Sequence, residues 1–135
     1  MSLAGPLGTS INPEETENFE DILEKVPGSK LRLTKIDDEI YEHLKKDFPE
    51  FDASATLNED EMKSKDGKER WRKFISEYEK KVEDYNFGTM LRASPKMEYS
   101  QEGTIFAVRM QFYAIEIARN REGLNDWIYE KAQGN

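Results

Sequence analysis

Residues 104–120 form an almost uninterrupted apolar segment, which constrains the fold more than any other part of the sequence. Most of its side chains are aliphatic or aromatic. A helix that is apolar on all sides has to be buried, so the segment predicts a central helix around which the other elements pack. A strand from Thr104 to Met110 is the alternative, because periodicity alone does not separate helix from strand in a short apolar run.

Charged residues interrupt this segment at three positions. They are Arg109, Glu116 and Arg119. An unpaired charge inside a protein is very costly, so each of them needs a partner if the helix is buried. We favour a buried polar network that fixes the register of the helix, and its expected members are Asp84, Gln111, Glu116 and Asn120. A partner-binding patch is the alternative.

Helix signals recur along the rest of the chain. Apolar residues between Trp71 and Tyr85 follow one another at steps of three and four, which predicts a long helix from 64 to 87 that Gly88 ends in a left-handed turn. Thr34 and Asp37 resemble a capping box in front of a helix that ends at Phe48. Shorter helices are expected over 20–26, 58–63 and 125–131, with Asn58 and Ser64 as caps and Gly123 as the end of the central helix. Met90 and Leu91 are expected to form one turn.

These signals predict an all-α fold, a single-domain helical bundle of about five to six helices. The domain is expected to span 19–131. A disordered acidic leader over 1–18 precedes it, and a short tail over 132–135 follows.

Composition argues against several classes of function. The net charge of −8 lies within residues 1–68, whereas 69–135 carries equal numbers of acids and bases, so direct DNA binding is not expected. The chain has no cysteine and one histidine, His43, which by default is a surface residue. No run approaches the roughly 20 apolar residues of a membrane helix, and no glycine-rich phosphate loop occurs. We therefore expect no enzyme activity, catalytic residues, cofactor or metal.

Two clusters of charge have ordinary structural explanations. Asp37, Asp38 and their acidic neighbours fall in the first turn of a helix, where carboxylates complement the helix dipole. The bases around Trp71 resemble a nucleic-acid groove, but on a helix they point away from the apolar stripe, so a solvated flank is favoured over contact with RNA or an acidic partner.

Four segments together resemble one known family, the small eukaryotic proteins named for a polysaccharide-biosynthesis domain. The segments are Leu31–Tyr41, Lys68–Phe74, Glu83–Arg92 and Arg109–Gly123. The resemblance covers residues 26–127. It implies a helical bundle in the cytoplasm, with the nucleus as a second location, that associates with ribosomes and acts as a dedicated chaperone for newly made translation elongation factor 1-alpha. The family name suggests sugar chemistry, which we discount because the chain has no glycine-rich cofactor loop.

The leading hypothesis is thus a non-enzymatic domain that binds a nascent or partially folded client. The expected partner-binding residues are charged, aromatic or amide side chains: Lys35, Asp37, Asp38, Tyr41, Asn86, Arg92, Arg109 and Arg119. An acidic scaffold of the transcription machinery and a polysaccharide-biosynthesis enzyme are the alternatives.

Overall fold

The computed structural model describes residues 15–100 and 102–134, which are mostly helical and include one small sheet. The helices are α1 (Glu15–Lys25), α2 (Asp37–Asp47), α3 (Glu59–Met62), α4 (Lys65–Ser76), α5 (Arg109–Arg121) and α6 (Asp126–Ala132), and a short 3₁₀ helix spans Gly28–Lys30. The strands are β1 (Gly88–Arg92) and β2 (Thr104–Val108). Helix α1 begins inside the predicted leader, whose residues 1–14 lie outside the described part of the chain.

The two strands correct the all-α prediction. They pair antiparallel, with Gly88 opposite Val108 and Met90 opposite Phe106. Burial alternates along β2, since Ile105 and Ala107 are buried and Phe106 is 58% exposed. Successive side chains of a strand point to opposite faces of the sheet, so Phe106 faces solvent while its two neighbours face the core. The alternative prediction of a strand over 104–110 is therefore confirmed as far as Val108, and α5 begins at Arg109.

Gly88 does not end a helix, as the sequence suggested, but lies in β1 beneath an aromatic ring. A Cβ atom on Gly88 would come within 2.5 Å of Cζ of Phe106. The glycine therefore allows the Phe106 ring to cross the neighbouring strand. Met90 and Leu91, predicted as a turn, continue the same strand.

Helix α4 is shorter than its apolar stripe predicted. It ends at Ser76 and is followed by turns, although Tyr78 and Val82 remain buried. The backbone bonds of these turns span three or four residues, as from Tyr78 to Ile75 and from Val82 to Tyr78. The turns therefore keep the apolar side chains on one side of the chain although the helix has ended. Asp84 adopts a left-handed φ of 55°, and from there the chain leads into β1.

Helix α5 is the centre of the core, as the apolar segment predicted from Arg109 onward. Every residue from Arg109 to Asn120 except Gln111 is buried. The helix ends in a Schellman motif, in which the N–H of Leu124 donates to the carbonyl of Arg119 at 2.9 Å and Gly123 adopts a φ of +73°. Gly123 thus ends this helix as predicted.

Predicted caps are confirmed at two helices. The side chain of Asn58 accepts from the N–H of Glu61 at the start of α3, and that of Ser64 accepts from the N–H of Gly67 at the start of α4. At α2, the Asp37 carboxylate accepts from the N–H of Thr34 at 2.7 Å, while Oγ1 of Thr34 accepts from the N–H of Ile36 at 3.0 Å. Within residues 15–100 and 102–134, no helix has both the length and the apolar character needed to span a membrane.

Candidate protein-binding surface

Two large aromatic side chains in and next to the hairpin are exposed to solvent. Phe106 is 58% exposed and Phe87, immediately before β1, is 54% exposed. An exposed apolar side chain is common on its own, but it marks a candidate binding surface where it adjoins further apolar surface. Phe87 lies opposite Arg109 at the end of the hairpin, because the N–H of Arg109 donates to the carbonyl of Phe87 at 2.7 Å.

A groove runs between β2 and α4, and we call it the β2–α4 groove. Its volume is about 290 Å³. Helix α4 contributes Lys68, Trp71, Arg72 and Ile75, which lie on one helical stripe. The other wall is the strand from Ile105 to Val108, and Met62, Lys63 and Gln111 complete the lining. The floor is therefore apolar and the rim is basic.

A second cavity, of about 510 Å³, lies on the other side of Trp71. It shares Trp71 and Met62 with the β2–α4 groove, but its rim carries Glu50, Asp52, Glu61 and Asp66. Arg70 at this rim is already paired, since its Nη1 lies 2.8 Å from Oε2 of Glu50. The two cavities thus differ in charge.

A fully buried ion-pair network joins β1 to α5. Arg92 binds Glu116 through two bonds, from Nη2 to Oε1 at 2.7 Å and from Nε to Oε2 at 3.1 Å. Arg119 donates to the same carboxylate at 3.1 Å, and the hydroxyl of Tyr99 donates to it at 2.9 Å. Asn125 accepts from Arg92 at 2.6 Å and donates to Glu116 at 3.1 Å.

The two arginines determine the ionisation of Glu116. Burial alone would raise the pKa of its carboxyl, but the charges of Arg92 and Arg119 outweigh burial and lower the pKa to about 2. Burial and then Glu116 raise the pKa of Tyr99 well above its usual value, so its hydroxyl stays a donor. Among the described residues, Nε and Nη2 of Arg119 have no hydrogen-bond partner.

His43 is half-buried, which corrects the expectation of a surface residue. Its ring stacks on Phe74 at 4.3 Å, and its Nδ1 lies 2.7 Å from the hydroxyl of Tyr78. Nε2 lies 2.9 Å from Oδ2 of Asp47 and 3.2 Å from Oε2 of Glu77. The side chains of His43, Asp47 and Glu77 lie close enough together to hold a divalent cation. When His43 is protonated, it could instead form ion pairs with the two carboxylates. The expectation that the protein binds no metal stays a prediction.

Sequence similarity to a known family extends over nearly the whole chain. The model of the family described as "PBDC1 protein" matches residues 11–130. The chain belongs to the PBDC1 protein family. This confirms the resemblance seen in the four sequence segments.

Relatives in fungi and mammals agree with this assignment. "Protein PBDC1 homolog" of Saccharomyces cerevisiae is 57% identical over 118 residues, which cover 85% of this chain and 81% of the relative. Human "Protein PBDC1" is 42% identical over 120 residues, which cover 89% of this chain but 51% of the human protein. The solution NMR structure of a Saccharomyces cerevisiae protein matches with a TM-score of 0.80 and 55% identity, over 88% of this chain and 84% of that one. PBDC1 family membership does not by itself specify an activity.

The predicted polar network is partly in place in this PBDC1 family member. Glu116 lies at its centre, and Oδ1 of Asn120 accepts from Asn125 at 2.7 Å. Gln111 instead caps α5, because its side chain accepts from the N–H of Val108 at 2.9 Å. Asp84 lies at the surface, with Oδ2 at 3.8 Å from Nη1 of Arg109.

Four of the eight predicted partner-binding residues have buried side chains. They are Asp37, Arg92, Arg109 and Arg119. Asp37 supports the turn before α2, Arg92 and Arg119 bind Glu116, and Nη1 of Arg109 donates to the carbonyl of Glu83 at 2.8 Å. We correct the expectation that these four form a contact surface, because a partner cannot reach them in this conformation.

The other four predicted partner-binding residues are accessible, and their role stays a prediction. Lys35, Asp38 and Asn86 are exposed, and Tyr41 is half-buried. The hydroxyl of Tyr41 donates to Glu122 at 3.2 Å, and Arg121 contacts Asp38 and lowers the pKa of its carboxyl. Asp38 and Tyr41 thus lie where α2 meets the end of α5.

Sequence reasoning missed the groove and half of the network. Phe106 falls in the predicted central helix, and Arg72 belongs to the flank that is predicted to be solvated. The missing information was the strand alternation of residues 104–108, which would have placed Phe106 on an outer face. For Arg92, Tyr99 and Asn125 no local signal exists, since each lies in a different segment from Glu116.

Proposed function

We propose that this member of the PBDC1 family is a non-enzymatic protein-binding domain that acts as a co-translational chaperone for newly made translation elongation factor 1-alpha. The observation that carries the proposal is the exposed Phe106 beside the apolar β2–α4 groove. The family resemblance supplies the identity of the client. The chaperone acts in the cytoplasm at the translating ribosome.

An apolar groove in a densely charged protein suits a client that is not yet folded. Such a client exposes apolar segments that its native state would bury, and these segments gain free energy when they leave water. The fixed walls of the groove lower the cost of ordering the bound segment, because the binder itself is already organised. Charges at the rim keep the free chaperone soluble and orient the client.

Selective ribosome capture tests the client and the site together. Ribosomes bound to the tagged full-length protein are isolated, and their messages are sequenced. We expect enrichment of the elongation factor 1-alpha message with the wild type and with Met97→Ser, an exposed apolar residue outside the groove. Phe106→Ser should reduce the enrichment, because it removes the exposed ring. Equal recovery of all messages by the wild type would refute the proposed client.

Translation in vitro provides a second readout. Elongation factor 1-alpha is synthesised with and without the purified protein, and the soluble, protease-resistant fraction is measured. We expect the wild type to raise this fraction and Phe106→Ser to raise it less. A fraction that does not depend on the added protein would contradict a chaperone role.

A further inference from the structure

The edge of β2 that faces away from β1 has unpaired backbone groups. Backbone bonds at the two ends of the hairpin join Ala93 to Gly103 at 2.9 Å and Arg109 to Phe87 at 2.7 Å. Bonded and non-bonded pairs alternate along antiparallel strands. The pair of Met90 and Phe106 is therefore non-bonded, and the N–H and C=O of Phe106 point away from β1. No described residue bonds to either group.

This free edge lies along the β2–α4 groove. Residues 105–108 line the groove consecutively, and none of the described residues of β1 contributes to it. The opposite wall is the stripe of α4 that carries Trp71 and Ile75. A segment lying in the groove would thus meet backbone hydrogen-bonding groups on one side and apolar side chains on the other. Strand addition to a sheet edge uses this combination, with main-chain bonds for affinity and side-chain pockets for specificity.

The charge of the groove defines what it can accept. Its rim carries Lys63, Lys68 and Arg72, and none of the acidic residues in the described part of the chain lines it. Lys63 is paired with Glu59 at 2.6 Å, whereas Lys68 and Arg72 form no ion pair with any described residue. In a chain of net charge −8, this is a local basic site, and charge complementarity favours an acidic partner.

We propose that the β2–α4 groove binds an extended segment of a protein client, in which apolar and acidic residues alternate, as a third strand on the free edge of β2. The apolar side chains of the segment pack on Trp71 and Ile75. Its acidic side chains pair with Lys68 and Arg72, and its backbone bonds to Phe106. This inference rests on the proposed protein-binding function and specifies the chemistry of the bound segment.

Nuclear magnetic resonance with synthetic peptides tests the binding mode on the full-length protein. The first probe is a short peptide in which valine and glutamate alternate. A second probe has lysine in place of glutamate, and a third is the first peptide N-methylated at the residues whose N–H groups would face β2. We expect the first peptide to slow hydrogen exchange of the Phe106 amide. The lysine peptide should bind at least about tenfold more weakly, a difference of about 1.4 kcal/mol, and N-methylation should abolish binding.

Charge reversal on α4 provides matched variants. Arg72→Glu should weaken binding of the glutamate peptide by about tenfold or more, because it removes one of the two unpaired cations. Lys73→Glu is the control, since Lys73 is the exposed neighbour on the same helix and does not line the groove. Its affinity should stay close to that of the wild type. Equal losses in the two variants would contradict a local role for Arg72 and overturn the assignment of this rim.

Three results would overturn strand addition. One is equal binding of the N-methylated peptide. Another is a Phe106 amide that is protected in the free protein at every concentration, which would mean that the chain's own residues occupy the edge. A third is protection that grows with protein concentration, which would identify a second copy as the occupant.

The client assay separates this inference from the proposed function. If Arg72→Glu loses the peptide but still captures nascent elongation factor as well as Lys73→Glu does, the groove is not the client site and the inference fails alone. If the wild type binds the peptide as a strand but captures no elongation factor message, the proposed client fails and the strand-binding site stands.

Discussion

Replacement of Glu116 by glutamine tests the buried network directly. Glutamine keeps the size of the side chain and removes the negative charge that Arg92 and Arg119 share. Both guanidinium groups are fully buried, so neither can recover water when the carboxylate is lost. The variant therefore leaves two uncompensated cations in the core.

Two independent arguments give the magnitude. Removing one partner of a buried ion pair typically costs about 3–5 kcal/mol. The pKa of the Glu116 carboxyl is lowered from 4.5 to about 2, which corresponds to roughly 3 kcal/mol of stability at neutral pH. A loss of this size lowers the melting temperature of a domain of this length by roughly 10–20 °C.

The pH dependence has a defined sign. Because the pKa of Glu116 is lower in the folded than in the unfolded state, its contribution is complete above pH 4.5 and is lost as the pH falls towards 2. The difference in unfolding free energy between the wild type and Glu116→Gln should therefore shrink over this interval. Other carboxyls titrate in both proteins, so they largely cancel in the difference.

Urea denaturation at several pH values measures this difference, and Glu122→Gln is the control. Glu122 is exposed and accepts a single bond from Tyr41, so its loss should cost less than about 1 kcal/mol. The reasoning is refuted if Glu116→Gln lies within 1 kcal/mol of the wild type at pH 7, or if the difference between the two proteins is independent of pH.

Further predictions concern backbone positions and a cap, and chemical denaturation checks each of them. Gly28→Ala should cost more than about 2 kcal/mol, because its Cβ would lie 2.6 Å from Oδ1 of buried Asn120. Gly88→Ala should cost less than about 1 kcal/mol, since the ring of Phe106 that it would meet is exposed and can turn away; equal costs for the two glycines would contradict this contrast. Asp37→Ala should cost about 1–2 kcal/mol, because it removes the acceptor of the Leu33 and Thr34 N–H groups, and an unchanged denaturation midpoint would count against that role.

Local sequence signals predicted the elements that local interactions determine. Asn58 and Ser64 cap their helices through groups three residues away, and Gly123 ends α5 with its own backbone conformation. The central burial of α5 followed from the apolar character of its residues. Each of these features depends on a few consecutive residues.

Features that depend on distant residues could not be predicted in this way. Periodicity alone does not separate a helix from a strand in the apolar run at 104–108, and pairing with β1 decides between them. The sequence indicates that the buried charge of Glu116 needs a partner, but it does not identify that partner. Two of the partners, Arg92 and Asn125, lie 24 and 9 residues away along the chain. The sequence therefore predicted that a network exists and that Glu116 and Asn120 belong to it, but not that Arg92, Tyr99 and Asn125 do.

The network and the groove are parts of one arrangement. Arg92, the last residue of β1, is bound to Glu116 in α5, while β2 continues into α5 without an intervening loop. Both strands of the hairpin are thus attached to the same central helix, one by a buried ion pair and the other through the chain. Helix α5 also packs against α4, so it sets the position of the free edge of β2 relative to Trp71 and Ile75. The buried charges of the central helix thus help to fix the geometry of the groove in which we propose that a partner binds, without contacting that partner themselves.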